Sequence, residues 1–259
     1  MDVQTGRLFV MGDIHGAHKA LRQCLQRAGF DYAQDTLIQL GDIVDGTEEV
    51  YECVEELLKI KNLIAIKGNH DVWFNEFLHT GEHPRVWNHG GLATVVSYLQ
   101  HVKPDGTYST TMDGFQTSLI PDDLPLSHRQ FFNRQRLYYI DDKQRLFVHA
   151  GYDPKQNFYG QAEENYYFDR SLWLDSLAAH DQQYPGGQQG EEQPFAEIFI
   201  GHTATTKWGI DYPMTAFHIT NLDTGARHMG RLSIMEVDSK SYWQSDPLPA
   251  LYGEEVVRK

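Results

Sequence analysis

Three short apolar runs in the first part of the chain end in the same way, and this recurrence constrains the fold more than any other feature. Leu8 to Met11 runs into Gly12, Asp13, Ile14, His15 and Gly16. Thr36 to Leu40 runs into GDIVDG, Gly41 to Gly46, which carries Asp42 and Asp45. Leu63 to Ile66 runs through Lys67 into GNHD, Gly68 to Asp71, with Asn69 and His70. Each run has the length of a buried strand. Between them lie helical spacings: Leu21, Leu25 and Ala28 before Gly29, then Val50, Val54, Leu57 and Leu58 within Glu48 to Lys61. Strand, helix, strand, helix, strand predicts an α/β fold with parallel strands and right-handed crossovers. In such sheets ligands sit beyond the carboxyl ends of the strands, where all three turns would converge. Asp13 and His15 leave the same face if extended geometry persists through them. A carboxylate and an imidazole so placed can hold a borderline divalent cation. Turn propensity for Asn, Asp and Gly explains one such loop, but explains three with histidines poorly.

The recurrence continues further along. Leu137 to Ile140 and Arg145 to Val148 read as two strands, the second ending in HAG, His149 to Gly151. Phe195 to Ile200 is a strand ending in GHT, Gly201 to Thr203, with His202. Trp208 to Tyr212, Thr215 to Thr220 and Leu232 to Val237 read as further strands, so the second half of the core is expected to be antiparallel or mixed. His218 then falls inside a strand as a packed histidine. Trp73, Phe74, Phe77 and Leu78 read as core, and His79, His83 and His89 as surface or cleft rim. Leu92 to Leu99 suggests a helix, and Lys103 to Thr111 a surface loop. Ser127 to Gln130 fits a capping box, with Ser127 as N-cap of a helix running to about Arg136. His128 and Arg129 would then be solvated. Tyr166 to Leu177 reads as one amphipathic helix with Asp169 and Arg170 at its start. An arginine there opposes the helix dipole, so Arg170 answers another demand, such as a phosphate. His180 to Pro194 reads as a mobile surface loop.

Length and charge narrow the function. The 259 residues suit one large α/β core, and no long linker appears. One domain over 1–259 is expected, with a cap or insertion at about 72–125. With 22 basic and 36 acidic side chains, the formal charge is −14, which argues against a nucleic-acid polymer as partner. An anionic substrate is still admitted, because bound metal reverses the local field. Two cysteines, Cys24 and Cys53, make no disulfide framework. No signal peptide and no membrane span are read, so the cytoplasm is the expected compartment.

The order DIH, GDIVDG, GNHD, HAG, GHT, spanning Asp13 to His202, resembles the calcineurin-like metallophosphoesterase superfamily. It looks most like the serine/threonine phosphoprotein phosphatase branch and its bacterial and phage-type relatives, which include diadenosine tetraphosphatases. LDTG, Leu222 to Gly225, also resembles a late segment of the bacterial relatives. The resemblance implies a four-layer α/β/β/α sandwich of two mixed sheets flanked by helices. It also implies two divalent metal ions, Mn²⁺ in vitro by expectation, with Fe, Zn or Co as alternatives. Carried over position by position, Asp13 and His15 bind the first metal, Asp42 bridges, and Asn69, His149 and His202 complete the second site. His70 is the general acid that protonates the leaving oxygen, and Asp45 orients its ring. The nucleophile implied is a hydroxide shared by the two metals.

Two departures matter. The branch usually has GDxVDRG, whose arginine binds the substrate phosphate, and here that position is Gly46, followed by Thr47. Arg170 loosely resembles a second phosphate-binding arginine. The last motif is GHTAT, so Ala204 cannot supply the extra histidine of more distant phosphodiesterases. The expected activity is therefore hydrolysis of phosphomonoesters, with phosphoserine or phosphothreonine in proteins as substrate. The alternatives are hydrolysis of dinucleoside polyphosphates or other small nucleotides, and a non-catalytic binding module on the same fold.

Overall fold

Neighbouring residues of the central strands bury on opposite sides. Phe9, Met11, Leu37 and Ile234 join one core, whereas Val10, Ile38 and Met235 join another. Leu146, Val148, Ile198 and Ile200 join a third core, and the intervening Phe147 and Phe199 return to the second. Two sheets that are apolar on both faces must each be covered twice, and this fixes a stack of four layers.

The computed structural model describes residues 6–112, 114–181 and 194–257. The strands are β1 (Leu8–Met11), β2 (Thr36–Gln39), β3 (Asn62–Ala65), β4 (Tyr108–Thr111), β5 (Gly114–Thr117), β6 (Tyr138–Ile140), β7 (Arg145–Val148), β8 (Glu197–Ile200), β9 (Met214–Ala216), β10 (Ile219–Asn221), β11 (Ser233–Glu236) and β12 (Tyr242–Gln244). The helices are α1 (His18–Arg27), α2 (Val50–Leu57), α3 (Asn69–Thr80), α4 (Gly91–Val102), α5 (Leu126–Asn133), α6 (Glu163–Phe168), α7 (Ser171–Asp181), α8 (Leu248–Tyr252) and α9 (Glu254–Val257).

The first sheet has the order β12-β11-β1-β2-β3. Its β1, β2 and β3 are parallel, and β11 and β12 add antiparallel. The second has the order β6-β7-β8-β10-β9, with β7, β8 and β10 parallel and antiparallel strands at both edges. Both sheets are thus mixed. Helices α1 to α5 lie on the outer face of the first sheet, where Leu21, Val54, Phe74, Trp87, Tyr98 and Phe132 form the large core. Helices α6 and α7 supply Tyr166, Leu172 and Trp173 to the outer face of the second. Phe74, Phe77, Trp87, Val95, Tyr98 and Leu99, all within 72–125, belong to the first of these cores.

Several expectations are corrected. Residues 108–111 form a hairpin strand with β5 rather than a loop. Helix α5 starts after Pro125, so Ser127 lies inside it and is not its N-cap; the helix ends at Asn133. His128 is fully buried between Tyr98 and Glu55, because its two ring nitrogens have partners there. The stretch 166–177 is two helices, since the Asp169 carboxylate takes the Ser171 N–H and starts α7 afresh. Thr205–Trp208 is a 3₁₀ turn, and residues 209–212 form no strand. His218 sits in the turn between β9 and β10 rather than inside a strand. The loop expected at 180–194 falls mostly outside the described residues. Cys24 and Cys53 are free and buried. Among the described residues no helix is long and apolar enough to cross a membrane.

Candidate metal centre

The strand-end turns of both sheets meet at one edge of the sandwich. Extended geometry does not carry through Asp13 and His15, because β1 stops at Met11 and His15 has a left-handed backbone. The turn, rather than strand alternation, brings the two side chains together. Seven described non-glycine residues have positive φ, and four are sequence-derived site residues: His15 (49°), Asp42 (52°), Asp45 (66°) and His202 (67°). Such a backbone costs a side chain-bearing residue roughly 1–2 kcal/mol. Its concentration here marks a site whose geometry outweighs local stability.

Asp13, His15 and Asp42 bring ligand atoms within 4.8 Å of one another, and so do Asp42, His149 and His202. All five are buried, and Asp42 is common to both groups. Its Oδ2 lies 3.7 Å from His15 Nε2 and 3.5 Å from His149 Nε2. Its Oδ1 accepts the backbone N–H of His70 at 2.9 Å. Gly68 permits this approach, since a Cβ there would stand 2.2 Å from Asp42 Oδ1.

The donor set fits divalent cations on its own hydrogen-bond pattern. His15 Nδ1 donates to the Val44 carbonyl at 3.0 Å, and His149 Nδ1 donates to the Leu40 carbonyl at 2.7 Å. Each ring is thereby left with a lone pair on Nε2 directed into the site. His149 Nε2 faces Asn69 Oδ1 at 3.3 Å as well as Asp42 Oδ2, so acceptors converge with a cation as the natural partner. His202 Nε2 is buried with no hydrogen-bond partner, although an unpaired buried nitrogen is costly. The groups are consistent with a binuclear divalent-metal site.

The electrostatics agree. Burial, with Asp223 and Asp42 nearby, holds the Asp13 carboxyl well above the ordinary carboxylate range. Burial pushes Asp42 the same way, but His149, His70 and His15 outweigh it and hold Asp42 well below that range. Asp71 and Asp223 are both pushed up to about 6, chiefly by burial. Burial lowers His15 and His202, whereas Asp42 overcomes burial and raises His149. Buried carboxylates crowded in this way call for a cation.

His70 lies in the first turn of α3 and donates from Nδ1 to Asp45 Oδ2 at 2.6 Å. Asp45 is held in turn by Trp87 Nε1 at 3.1 Å and Thr94 Oγ1 at 2.6 Å. Asp71, read in sequence only as part of a turn, ties two turns together. It accepts Ile43 N at 2.9 Å, Gly68 N at 3.2 Å and Gln135 Nε2 at 2.9 Å. Arg170, between α6 and α7, lies in the field of Asp42, Asp223 and Asp13, while burial lowers its pKa. Arg227 was missed in sequence. It lies two residues beyond LDTG and donates from Nη1 to His70 Nε2 at 2.8 Å. Trp73 is only half-buried, packs its ring 4.6 Å from that of His70, and faces the exposed Phe168 at 6.0 Å. Phe168 in turn lies 6.2 Å from the His202 ring.

Fold and site together define a metal-dependent phosphoesterase. The calcineurin-like phosphoesterase family model matches residues 6–207, and the chain belongs to that family. It is 24% identical over 235 residues to serine/threonine-protein phosphatase 2 of Salmonella typhimurium, covering 89% of this chain and 92% of that protein. It is 28% identical over 151 residues to the symmetrical bis(5'-nucleosyl)-tetraphosphatase of Proteus mirabilis, covering 57% of this chain and 45% of that enzyme. Among solved structures, one described as a putative diadenosine tetraphosphatase superposes with a TM-score of 0.63 at 16% identity, over 95% of this chain and 96% of that one. The last likeness is one of fold.

Proposed function

We propose that the enzyme hydrolyses phosphate esters or anhydrides of small nucleotides, with dinucleoside polyphosphates as the leading class. The observation that carries this reading is the aromatic pair beside the centre. Trp73 stands next to His70 on one side, and the exposed Phe168 stands next to His202 on the other. A nucleobase stacks on such faces for about 1–3 kcal/mol, whereas a phosphoserine side chain offers no ring. The second reading is phosphoserine or phosphothreonine in proteins, favoured by the near full-length match to a protein phosphatase.

In either reading the ligands act alike. Asp13, His15 and Asp42 hold one cation, and Asp42, Asn69, His149 and His202 hold the other, with Mn²⁺ the working metal in vitro. Two cations there would polarise phosphoryl oxygens and provide a nucleophile from water near neutral pH. Asn69 contributes an oxygen without charge, which leaves more positive field for an anion. His70 delivers a proton from Nε2 to the leaving oxygen while Asp45 holds Nδ1–H and thus the ring's orientation. Arg170 binds substrate phosphate from the side of His202. Residues 72–125 act as an insertion that carries Trp87 and Thr94 to Asp45.

The test is product analysis with diadenosine tetraphosphate and a phosphopeptide panel, on wild type and on Trp73→Ala. Turnover of the dinucleotide, with KM raised about tenfold in Trp73→Ala but unchanged for a ring-free ester such as glycerol phosphate, is expected. Turnover of phosphopeptides alone would transfer the assignment to the second reading.

A further inference from the structure

We infer that Arg227, which hydrogen-bonds His70, enters the centre from the turn after β10 and binds the phosphoryl group undergoing transfer, exchanging the His70 ring for phosphoryl oxygens. The proposal rests on the phosphohydrolase reading of the site, whatever organic group the phosphate carries.

The guanidinium makes two hydrogen bonds. Nη1 donates to His70 Nε2 at 2.8 Å, and Nη2 donates to the His89 carbonyl at 2.7 Å. Both acceptors are formally neutral, since His70 must offer its Nε2 lone pair to receive the bond. The charge of Arg227 is therefore not spent on these partners, and it stands next to the atom that is to donate a proton to the leaving group. His70 cannot both accept from Arg227 and donate to a leaving oxygen through Nε2. One of the two must change partner when substrate arrives. A phosphoryl group beside His70 presents charged oxygens that a planar guanidinium binds through paired N–H groups, and it outcompetes a neutral ring nitrogen.

The surrounding backbone leaves room for this arrangement. Gly90 stands against both the Asp45–Gly46 turn and the guanidinium. A Cβ at Gly90 would meet Asp45 Cβ at 3.0 Å, Arg227 Nη2 at 3.2 Å and Gly46 N at 3.4 Å. At Gly46 itself φ is +97°, and a Cβ would stand 2.8 Å from the His15 carbonyl oxygen and 2.9 Å from His15 Cβ. An arginine side chain at position 46 would strain the turn that carries His15. The chain instead brings a guanidinium to the same turn from the opposite end of the sequence. Arg227 follows the Asp223–Gly225 turn, where the Asp223 carboxylate accepts the Gly225 N–H at 3.1 Å and fixes the approach of the loop.

The experiment is steady-state kinetics of the Mn²⁺-loaded full chain with p-nitrophenyl phosphate, with inorganic phosphate as competitive inhibitor, on wild type, Arg227→Ala and Arg227→Lys. Metal content is measured on the same samples. Arg227→Ala should raise both KM and the phosphate inhibition constant about tenfold or more, with a smaller change in kcat and unchanged metal content. Arg227→Lys should recover part of the phosphate affinity, because it keeps the charge but not the paired donors. An unchanged phosphate inhibition constant in Arg227→Ala would overturn the proposal. So would a fall in kcat alone, which would make Arg227 a positioning residue for His70, or a loss of metal. Neither probe contains a nucleobase or a peptide, so failure of the nucleotide reading leaves this test intact. Wild-type inactivity toward every phosphate ester would instead overturn the phosphohydrolase reading and this proposal with it.

Discussion

The two halves of the candidate centre are built differently. Asp13, His15 and Asp42 all follow strands of the first sheet, β1 and β2, which are hydrogen-bonded neighbours. Their mutual placement is settled within one sheet. His149 and His202 follow β7 and β8 of the second sheet, and they reach Asp42 only because the two sheets pack face to face. One half is thus as rigid as a strand pair, and the other is as rigid as the sandwich. Loss of inter-sheet packing should therefore empty the second half first.

The largest expected effect comes from that packing. Phe199 is fully buried between the sheets and stacks on Phe147 at 5.0 Å. Phe199→Ala should destabilise the protein by about 3–5 kcal/mol in denaturant unfolding. Under folded conditions, metal titration should show the second ion weakened much more than the first. Equal weakening of both ions would break the distinction.

A comparable effect without loss of metal is expected at His70, which belongs to the first sheet's side. His70→Asn should lower kcat by about 10²–10³, with the loss larger for poor leaving groups than for p-nitrophenolate. His202→Asn is the contrast and should act through reduced occupancy of the second ion. Elemental analysis beside a leaving-group series separates the two. If His70→Asn empties the centre, His70 belongs among the ligands.

The smallest effect concerns Asp223, buried behind the centre and pushed up to about 6. The folded metal-free protein keeps this proton where the unfolded chain, near the ordinary value of about 3.9, has lost it. Its contribution to stability is full below that value and is lost as pH rises through about 6. Metal-free Asp223→Asn should therefore be more stable than wild type at pH 7 by about 1–3 kcal/mol and equal to it near pH 4. Thermal unfolding with and without Mn²⁺ measures this, and bound cation should shrink the difference. A variant less stable at pH 7 would contradict the sign.

The three parallel strands β1 to β3 are legible because strands, helices and turns repeat in register, each turn marked by glycine and a polar group, whereas β12 carries no such mark and the place of β11 beside β1 is visible only in the fold. His149 and His202 are legible because their strands end in the same kind of turn. The edges were not. The stretch 215–220 reads as one apolar run, yet it turns at Phe217 and His218, and only the antiparallel pairing of β9 with β10 reveals the turn. The local capping pattern at Ser127 competes with Pro125, whose fixed φ starts α5 earlier than that pattern predicts. His128 looked solvated because its partners, Tyr98 and Glu55, are far away in sequence. Arg227 and Asp71 act through contacts made only when separate turns meet, and no local spacing announces such contacts. The helical spacing of Trp73 reads as core, and the half-buried ring does pack against the first core, but its position in α3 also sets it against His70.

The division of labour within Asp42 has a consequence for observing the centre. One carboxylate oxygen faces His15 and His149, and the other holds the amide of His70 at the start of α3. Charge drawn toward a cation at the first oxygen is charge withdrawn from the hydrogen bond at the second. The His70 amide is therefore an intrinsic gauge of loading. Its nitrogen and proton resonances should shift as a diamagnetic ion such as Zn²⁺ enters, and they report from a backbone position that no ligand substitution needs to disturb.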